Sequence, residues 1–478
     1  MAMTLQRVRH LAILFLLLLS AAWCCPASAY SLLTHEQLVD LTWDDAIVPF
    51  LLSRYPNLTP AELDRARSYA YGGCVIQDVG YYPFGDAFFS DLTHYVRSGD
   101  FVIALFRNAH SANELAFAVG ALSHYVGDTY GHSQATNRAV ALEFPKLAAR
   151  YGKSVNYAEG RHQHVQTEFA FDINQIAHHR LAPLTYLRHI GLNVAMHQLA
   201  LAFFQTYGVT EDFTGRGATF NVNSYRFAAR TFIPKAAYAL TEIHRKDELD
   251  EPDTPDAQEI ERESAVIAKN WVAYHNKAGF ETHLLAFVIR IIPKFGPLAM
   301  IATKGPTAMA EADYMHSMVS ATSNLRDRLY LLTPVSNRRP PPAGVTVVPL
   351  ISQAEDARHP LVNRDLDTGL PVKPGGYPLT DITYAKLLGR LTRNPGQPIP
   401  PGIKADVQAY YADPAAPIIT KKNPNKWAKV QDELNTLAAM LTSTEAEPYP
   451  TYGRDLNKPE PSPKPESTPK SESSPKTP

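Results

Sequence analysis

Three potential metal ligands recur at four-residue intervals within residues 122–133. His124, Asp128 and His132 lie in the segment Leu-Ser-His-Tyr-Val-Gly-Asp-Thr-Tyr-Gly-His-Ser. Side chains four residues apart share one face of an α-helix, so these three would stack within about two turns. Imidazole nitrogens and carboxylate oxygens are common ligands of zinc and related divalent ions. Such a row cannot hold one ion without strain, but it can supply ligands to two or three neighbouring ions.

The segment that precedes these ligands is apolar on nearly every side. Residues 115–122 are Leu-Ala-Phe-Ala-Val-Gly-Ala-Leu, which predicts a helix that is buried over most of its surface. A buried His or Asp is costly without a partner, and a metal ion would be one. The alternative interpretation is a polar stripe on a solvated helix.

Five further positions could join this row. His164 and Glu168 are again four residues apart, in a segment that is predicted to be helical. Asp78 lies shortly after a Gly-Gly pair. His94 ends the segment Asp-Leu-Thr-His, and His35 lies five residues after Tyr30. A single His-x-x-x-Glu pair is usually a surface pair, so the hypothesis of a metal site depends on the ordered set.

The first 29 residues have the pattern of a secretory signal peptide. Arg7 and Arg9 form a basic start, residues 11–19 form a short apolar core, and Ala-Ser-Ala at 27–29 is a small-residue cleavage site. A secreted or periplasmic protein is therefore expected. Cleavage would make Tyr30 the new N-terminus, whose α-amino group is a potential metal ligand, and would leave Cys74 without a disulfide partner.

Composition and motifs argue against several classes of protein. Lys+Arg 46 and Asp+Glu 47 leave no excess charge, so no stable nucleic-acid partner is expected. The sequence has no Gly-x-Ser-x-Gly elbow, and Gly152-Lys-Ser lacks the upstream Gly of a phosphate-binding loop. A serine hydrolase and a nucleotide-driven enzyme are therefore unsupported.

The periodicity of apolar residues predicts an all-α fold. We expect four units: a signal peptide at 1–29, a multi-helix domain at 30–333, a loop-rich and partly helical extension at 334–444, and a disordered Pro/Ser/Lys/Glu tail at 445–478. The predicted helices cover 34–52, a capped start at Thr59-Pro60, 86–97, 112–136, 161–180, 185–206, 223–246, 257–278, 280–292, 306–332, 382–391 and 424–441. A short strand is expected around 346–350.

The ordered set of ligand types resembles the zinc-dependent phospholipase C family, which is related to single-strand-specific zinc nucleases of the P1 type. The segment His124-Tyr-Val-Gly-Asp128 is the most specific part of the resemblance, which covers about residues 30–180 by motif. The resemblance implies an all-helical phospholipase C/P1-nuclease-like domain with up to three Zn²⁺ ions. It implies nothing about residues 335–478.

The resemblance also implies a role for each matched residue. The first zinc would be held by Asp78, His94, His124 and Asp128. The second would be held by His132, His164 and Glu168. The third would be held by the Tyr30 amino group and carbonyl, His35 and Asp128, so that Asp128 would bridge the first and third ions.

Two features depart from the family pattern. The bacterial phospholipases and the nucleases have Trp at the mature N-terminus, where this chain has Tyr30, although only the backbone of that residue binds metal. The spacing from Asp128 to His132 is four residues, whereas those enzymes have six. The shorter spacing resembles the branch that contains the glycosylphosphatidylinositol-cleaving phospholipase D, so the headgroup and the choice of C-type or D-type cleavage stay open.

The chemistry expected from this set is hydrolysis of a phosphodiester by metal-activated water, with Asp78 as a candidate proton acceptor. Phospholipid is the expected substrate, and a membrane surface is a compatible partner. Tyr81, Tyr82 and Phe84 could line a lipid or base pocket, although ordinary core packing is the favoured interpretation of these aromatic residues. A single-strand nuclease and a non-catalytic zinc-stabilised scaffold remain open as other functions, and the oligomeric state is left open.

Overall fold

The computed structural model describes residues 31–81, 85–211, 226, 229–230, 233–244, 252–274, 305–333 and 360–443. This part of the chain is mostly helical, so the predicted fold class is confirmed. The α-helices in chain order are α1 (Leu32–Thr42), α2 (Val48–Arg54), α3 (Pro60–Gly73), α4 (Ala87–Tyr95), α5 (Ser98–Arg107), α6 (Ala112–Tyr130), α7 (Asn137–Glu143), α8 (Pro145–Tyr151), α9 (Arg161–Ala177), α10 (Leu184–Ile190), α11 (Met196–Tyr207), α12 (Ile233–His244), α13 (Pro255–Ile267), α14 (Ala308–Leu332), α15 (Pro378–Leu391), α16 (Pro401–Tyr410) and α17 (Pro424–Ala439).

Shorter elements connect these helices. π-helical turns join α1 to α2 (Trp43–Ile47) and α6 to α7 (Gly131–Thr136). 3₁₀ turns cover Ile76–Tyr81, Ala268–Tyr274 and Ile419–Lys422. Among the described residues, the strands form one antiparallel ribbon, β1 (Arg364–Asp365) with β2 (Leu370–Pro371). None of the described helices is long and apolar enough to span a membrane.

Helix α6 lies at the centre of the fold. It is buried without interruption from Leu115 to Asp128, which confirms the predicted buried helix and excludes the solvated stripe. Its first turn is capped by Ser111, whose hydroxyl accepts a hydrogen bond from the Glu114 amide at 3.2 Å. Because its surface is apolar or small-sided on most faces, α6 can pack at once against α1, α3, α5 and α14.

Glycines allow α3 and α6 to approach backbone to backbone. A Cβ atom at Gly120 would lie 2.1 Å from the Ala70 carbonyl oxygen, and one at Gly73 would lie 2.0 Å from the Phe117 carbonyl oxygen. Since real Cβ contacts are far longer, any side chain here would separate the helices. This close packing positions the end of α3 beside the polar part of α6. The turn that contains Asp78 follows directly and is positioned in the same way.

Helix boundaries differ from the sequence-based prediction where the backbone changes direction. The predicted helix at 185–206 is divided into α10 and α11, because Gly191 has a φ of 79° that ends α10. The capped start at Thr59 is confirmed by reciprocal hydrogen bonds with Glu62. Helices α5, α7, α8 and α16 were not predicted, and the elements predicted at 280–292 and 346–350 lie outside the described residues.

The C-terminal part at 360–443 packs onto the same core as α6. Leu361 and Leu366 are buried in the hydrophobic cluster that contains Phe117. The Leu366 amide donates a hydrogen bond to the His94 carbonyl oxygen at 3.1 Å, and α15 packs against α4. The predicted boundary at 333/334 stays a prediction, and the tail at 445–478 lies outside the described residues.

Candidate metal centre

The fold brings the predicted metal ligands together from six separate elements. Every one of these side chains except that of Tyr30, which lies outside the described residues, is almost completely buried. They are His35 on α1, Asp78 on the 3₁₀ turn after α3, His94 on α4, His124 and Asp128 on α6, His132 on the π-helical turn after α6, and His164 and Glu168 on α9. Their potential ligand atoms form three groups, in each of which the atoms lie within 4.8 Å of one another, and two of these groups share His124.

One set, which we call the bridged cluster, consists of His35, Asp78, His94, His124 and Asp128. His94 Nε2 lies 3.3 Å from Asp78 Oδ1 and 3.4 Å from Asp128 Oδ2. His124 Nε2 lies 3.1 Å from Asp128 Oδ2. Two ligands of one tetrahedral zinc, each about 2.0–2.2 Å from the ion, are roughly 3.3 Å apart. The observed distances therefore fit ligand atoms that share an ion.

Hydrogen bonds to the backbone fix the tautomers of His94 and His124. His94 Nδ1 donates to the Ser90 carbonyl oxygen at 2.8 Å, and His124 Nδ1 donates to the Cys74 carbonyl oxygen at 2.9 Å. A carbonyl oxygen can only accept, so the proton of each neutral ring lies on Nδ1 and the Nε2 lone pair is free for a metal. The two Nε2 atoms are 3.4 Å apart in a buried site, where two lone pairs would repel unless a proton or a metal ion lay between them. The residues present therefore fit a metal ion.

Asp128 joins two parts of the bridged cluster through its two oxygens. Its Oδ2 faces His94 and His124, while its Oδ1 lies 3.3 Å from His35 Nε2. The ring of His35 stacks on that of His124 with a centroid distance of 4.2 Å. This geometry is the one expected of a carboxylate that is shared between two ions.

His132, His164 and Glu168 form a second set, which we call the lateral cluster. His164 Nδ1 and Glu168 Oε1 are 2.8 Å apart, and the rings of His132 and His164 are 5.0 Å apart between centroids. His164 Nε2 lies 2.8 Å from the Asn137 side-chain oxygen. Neither ring nitrogen of His132 has a hydrogen-bond partner among the described residues, although the side chain is fully buried. An unsatisfied buried imidazole is what a metal ligand leaves when the ion is taken away.

His132 lies on the π-helical turn that follows α6. Its ring lies 5.0 Å from the ring of His164 on α9, between centroids. The potential ligand atom of His132 groups with those of His164 and Glu168, whereas that of Asp128 groups with those of His35 and His124. The row of His124, Asp128 and His132 is thus divided between the two clusters.

The two carboxylates of the bridged cluster favour positive charge on the groups beside them. Burial alone would raise the pKa of Asp128, but the charge of His124 and the hydrogen bonds of the neighbouring imidazoles hold this pKa well below its ordinary value. Burial opposes protonation of His94, yet Asp128 and Asp78 raise its pKa well above the ordinary value. A divalent cation would supply this charge in place of protons.

Burial disfavours the protonated form of both imidazoles in the lateral cluster. Burial lowers the pKa of His132, and burial together with the neighbouring His132 lowers the pKa of His164 well below its ordinary value. Neutral imidazole is the form that binds metal.

Only part of the predicted substrate pocket can be described. The ring of Tyr81 lies 5.7 Å from the ring of His94 between centroids, and its hydroxyl donates a hydrogen bond to Asp91 at 3.3 Å. Tyr81 is thus beside the bridged cluster, and its substrate-binding role stays a prediction. Tyr82 and Phe84 lie outside the described residues.

Sequence reasoning missed the contribution of the C-terminal part. Asp367 Oδ1 lies 3.6 Å from His132 Nε2, and both side chains are fully buried. Tyr95, Tyr377 and Asn137 contact Asp367 in turn. An Asp-Leu-Asp triplet in a turn-rich segment carries no periodic signal, so nothing in the sequence distinguished Asp367 from a solvated loop residue.

A helical scaffold with buried clusters of imidazole and carboxylate defines a class of proteins with candidate multinuclear metal centres. Residues 34–210 match the family model described as zinc dependent phospholipase C. The chain therefore contains a domain of the zinc-dependent phospholipase C family, and the described members of both clusters lie within the matched segment. No curated protein and no solved structure matches the chain.

Proposed function

We propose that this protein is a zinc-dependent phosphodiesterase that hydrolyses phospholipid-type phosphodiesters by attack of water. Membership of the domain in the zinc-dependent phospholipase C family implies this class of hydrolase. The observation that carries the proposal is the position of Asp128, whose two oxygens face separate imidazoles of the bridged cluster. A structural zinc site needs four ligands on one ion, whereas a shared carboxylate serves neighbouring ions.

The ligand set suits an anionic substrate. Zinc bound in these clusters would neutralise phosphate charge, lower the pKa of a water molecule and stabilise the leaving alkoxide. His94 and His124 are oriented for this task by the carbonyl oxygens that their Nδ1 atoms contact. Because imidazoles outnumber carboxylates in the bridged cluster, a loaded centre would retain net positive charge toward a phosphodiester.

Asp78 is the residue to which we assign proton transfer. Its Oδ1 lies 3.3 Å from His94 Nε2. A carboxylate at this position could accept a proton from the attacking water while it holds an ion. Tyr81, whose ring lies beside that of His94, would line the substrate pocket.

The experiment that tests the proposal compares two substrates. Purified protein, loaded with zinc, is assayed on phosphatidylcholine vesicles and on single-stranded DNA, with Asp128→Asn as the cluster variant. The control is Asp64→Asn, because Asp64 is exposed on α3. We expect hydrolysis of the vesicle lipid that Asp128→Asn abolishes and Asp64→Asn retains.

The other outcomes identify the alternatives. Cleavage of DNA without cleavage of lipid would favour a nuclease of the same fold. Bound zinc with neither activity would favour a zinc-stabilised scaffold, and a protein that binds no zinc would remove the basis of the proposal.

We also propose that the protein is secreted or periplasmic, on the strength of the signal-like pattern at 1–29. N-terminal sequencing of the protein recovered outside the cytoplasm tests this, with Tyr30 as the expected first residue. Recovery of an intact Met1 would contradict it.

A further inference from the structure

A carboxylate from outside the matched family segment lies beside the lateral cluster. Asp367 belongs to the turn between β1 and β2, and its Oδ1 lies 3.6 Å from His132 Nε2. Both side chains have no exposed surface. The distance is too long for a hydrogen bond, but it is close to the roughly 3.3 Å between two ligands of one zinc ion.

The two facing atoms are left unsatisfied by the rest of the molecule. Neither Asp367 Oδ1 nor either nitrogen of His132 has a hydrogen-bond partner among the described residues. A buried carboxylate oxygen and a buried imidazole without partners are both costly. A cation between them would remove both costs at once.

The other oxygen of Asp367 is held by two tyrosines. Its Oδ2 accepts hydrogen bonds from the Tyr95 hydroxyl at 2.9 Å and from the Tyr377 hydroxyl at 2.5 Å. A tyrosine hydroxyl carries its proton at neutral pH, so each acts as a donor here. These bonds fix the carboxylate with Oδ1 toward His132. Support of this kind from a second layer of residues is typical of metal ligands.

The backbone around Asp367 is fixed to the elements that carry the other ligands. The Asn137 side chain donates to the Asp367 carbonyl oxygen at 2.9 Å, and the Leu366 amide donates to the His94 carbonyl oxygen at 3.1 Å. Gly369, with a φ of 69°, lies so close to α6 that a Cβ atom there would be 2.5 Å from the Thr129 carbonyl oxygen. The turn is thus held against both α4 and α6.

A hydrogen bond does not account for this contact. The 3.6 Å between Asp367 Oδ1 and His132 Nε2 is too long for one, and neither atom has another hydrogen-bond partner among the described residues.

We infer that Asp367 is a ligand of the metal ion that His132 holds, so that the C-terminal part at 360–443 completes the metal centre of the phospholipase C-type domain. The inference rests on the proposed zinc binding and deepens it. It assigns the C-terminal part a direct role at the site.

Metal affinity provides a test that does not depend on activity. Asp367→Asn is compared with wild type by zinc content after dialysis, by competition with a chromophoric chelator, and by the visible spectrum of the Co²⁺-substituted protein. The matched control is Asp381→Asn, because Asp381 is also buried in the C-terminal part but bonds to Gly375 and Ile419 and not to either cluster. Circular dichroism checks that each variant is folded.

We expect Asp367→Asn to weaken one class of zinc site by tenfold or more and to change the Co²⁺ spectrum, while Asp381→Asn leaves both unchanged. Wild-type zinc affinity and an unchanged Co²⁺ spectrum in Asp367→Asn would overturn the inference while the proposed function stands. A wild-type protein that binds no zinc would overturn both.

A second variant covers the case in which Asp367→Asn does not fold. Tyr377→Phe removes one donor to Asp367 Oδ2 and nothing from the metal ligands themselves. If Asp367 is a ligand, this variant should lose affinity at the same site by about tenfold, as outer-layer partners of metal ligands do. Unchanged zinc affinity in Tyr377→Phe would then decide against the inference.

Discussion

At the scale of single residues, the candidate site depends on which atom of each ring or carboxylate is free. The carbonyl oxygens of Ser90 and Cys74 occupy the Nδ1 atoms of His94 and His124, which leaves both Nε2 atoms for a metal. The two oxygens of Asp128 are divided in the same way between neighbouring imidazoles. Function at this scale is therefore a matter of orientation that hydrogen bonds fix before any ion binds.

Replacement of Asp78 by Asn tests the proton acceptor. The amide has the same shape but cannot take a proton, so we expect a folded protein whose kcat for lipid hydrolysis falls by 10² or more. Turnover is measured beside zinc content, and Asp64→Asn serves as the exposed control. Wild-type turnover in Asp78→Asn would remove Asp78 from the mechanism.

The pH dependence of stability should report on Glu36, a buried neighbour of the site. Burial raises its pKa from 4.5 to about 7, although Arg230 at 2.7 Å opposes the shift. A raised carboxyl pKa means that the folded state binds the proton more tightly than the unfolded state does. The stabilisation that this proton provides is present at low pH and is lost as the pH rises toward 7. As the pH rises from 5 to 8, the free energy of unfolding of Glu36→Gln should increase by roughly 2–3 kcal/mol relative to that of wild type.

Chemical denaturation at the two pH values measures this change. Both proteins are kept in the same zinc buffer, so that the common metal contribution cancels in the difference. A difference in stability that does not change with pH would show that the Glu36 carboxyl is ionised throughout.

At the scale of helices, the site is positioned by backbone contact between α3 and α6. Gly120→Ala places a Cβ atom 2.1 Å from the Ala70 carbonyl oxygen, and backbone cannot move aside as a side chain can. We expect a loss of about 3 kcal/mol or more, at or above the upper end for overpacked cores, although alanine normally favours a helix over glycine. Thermal melting measures this loss of stability, and zinc binding is measured on the same variant.

The control for this prediction is Gly396→Ala, where nothing lies within 4 Å of the added atom. It should change the melting temperature little. A Gly120→Ala variant as stable as wild type would mean that α3 and α6 are farther apart than described.

At the scale of the whole molecule, the candidate metal ligands connect distant parts of the chain. α1, α4, α6 and α9 all contribute, so removal of zinc would leave buried imidazoles and carboxylates unpaired in the middle of the fold. Treatment with EDTA should lower the stability by several kcal/mol, since a ligand at 1,000 times its Kd contributes about 4 kcal/mol.

Differential scanning calorimetry before and after chelation checks this expectation, with elemental analysis of zinc alongside. Zinc should restore the melting temperature, whereas Mg²⁺ should not, because Mg²⁺ prefers oxygen ligands in an octahedral arrangement. Equal melting temperatures with and without chelator would contradict a metal centre that holds the helices together.

The sequence by itself determined the helical class, the burial of α6 and the identity of the residues that converge, because helical periodicity and ligand spacing are local properties of the chain. It could not show the division of helices at Gly191, the π-helical turn on which His132 lies, or which imidazoles each oxygen of Asp128 contacts. Those features depend on contacts between elements. Asp367 is the extreme case: it meets His132 across more than two hundred residues, and only packing of the C-terminal part onto α4 and α6 brings the two side chains together.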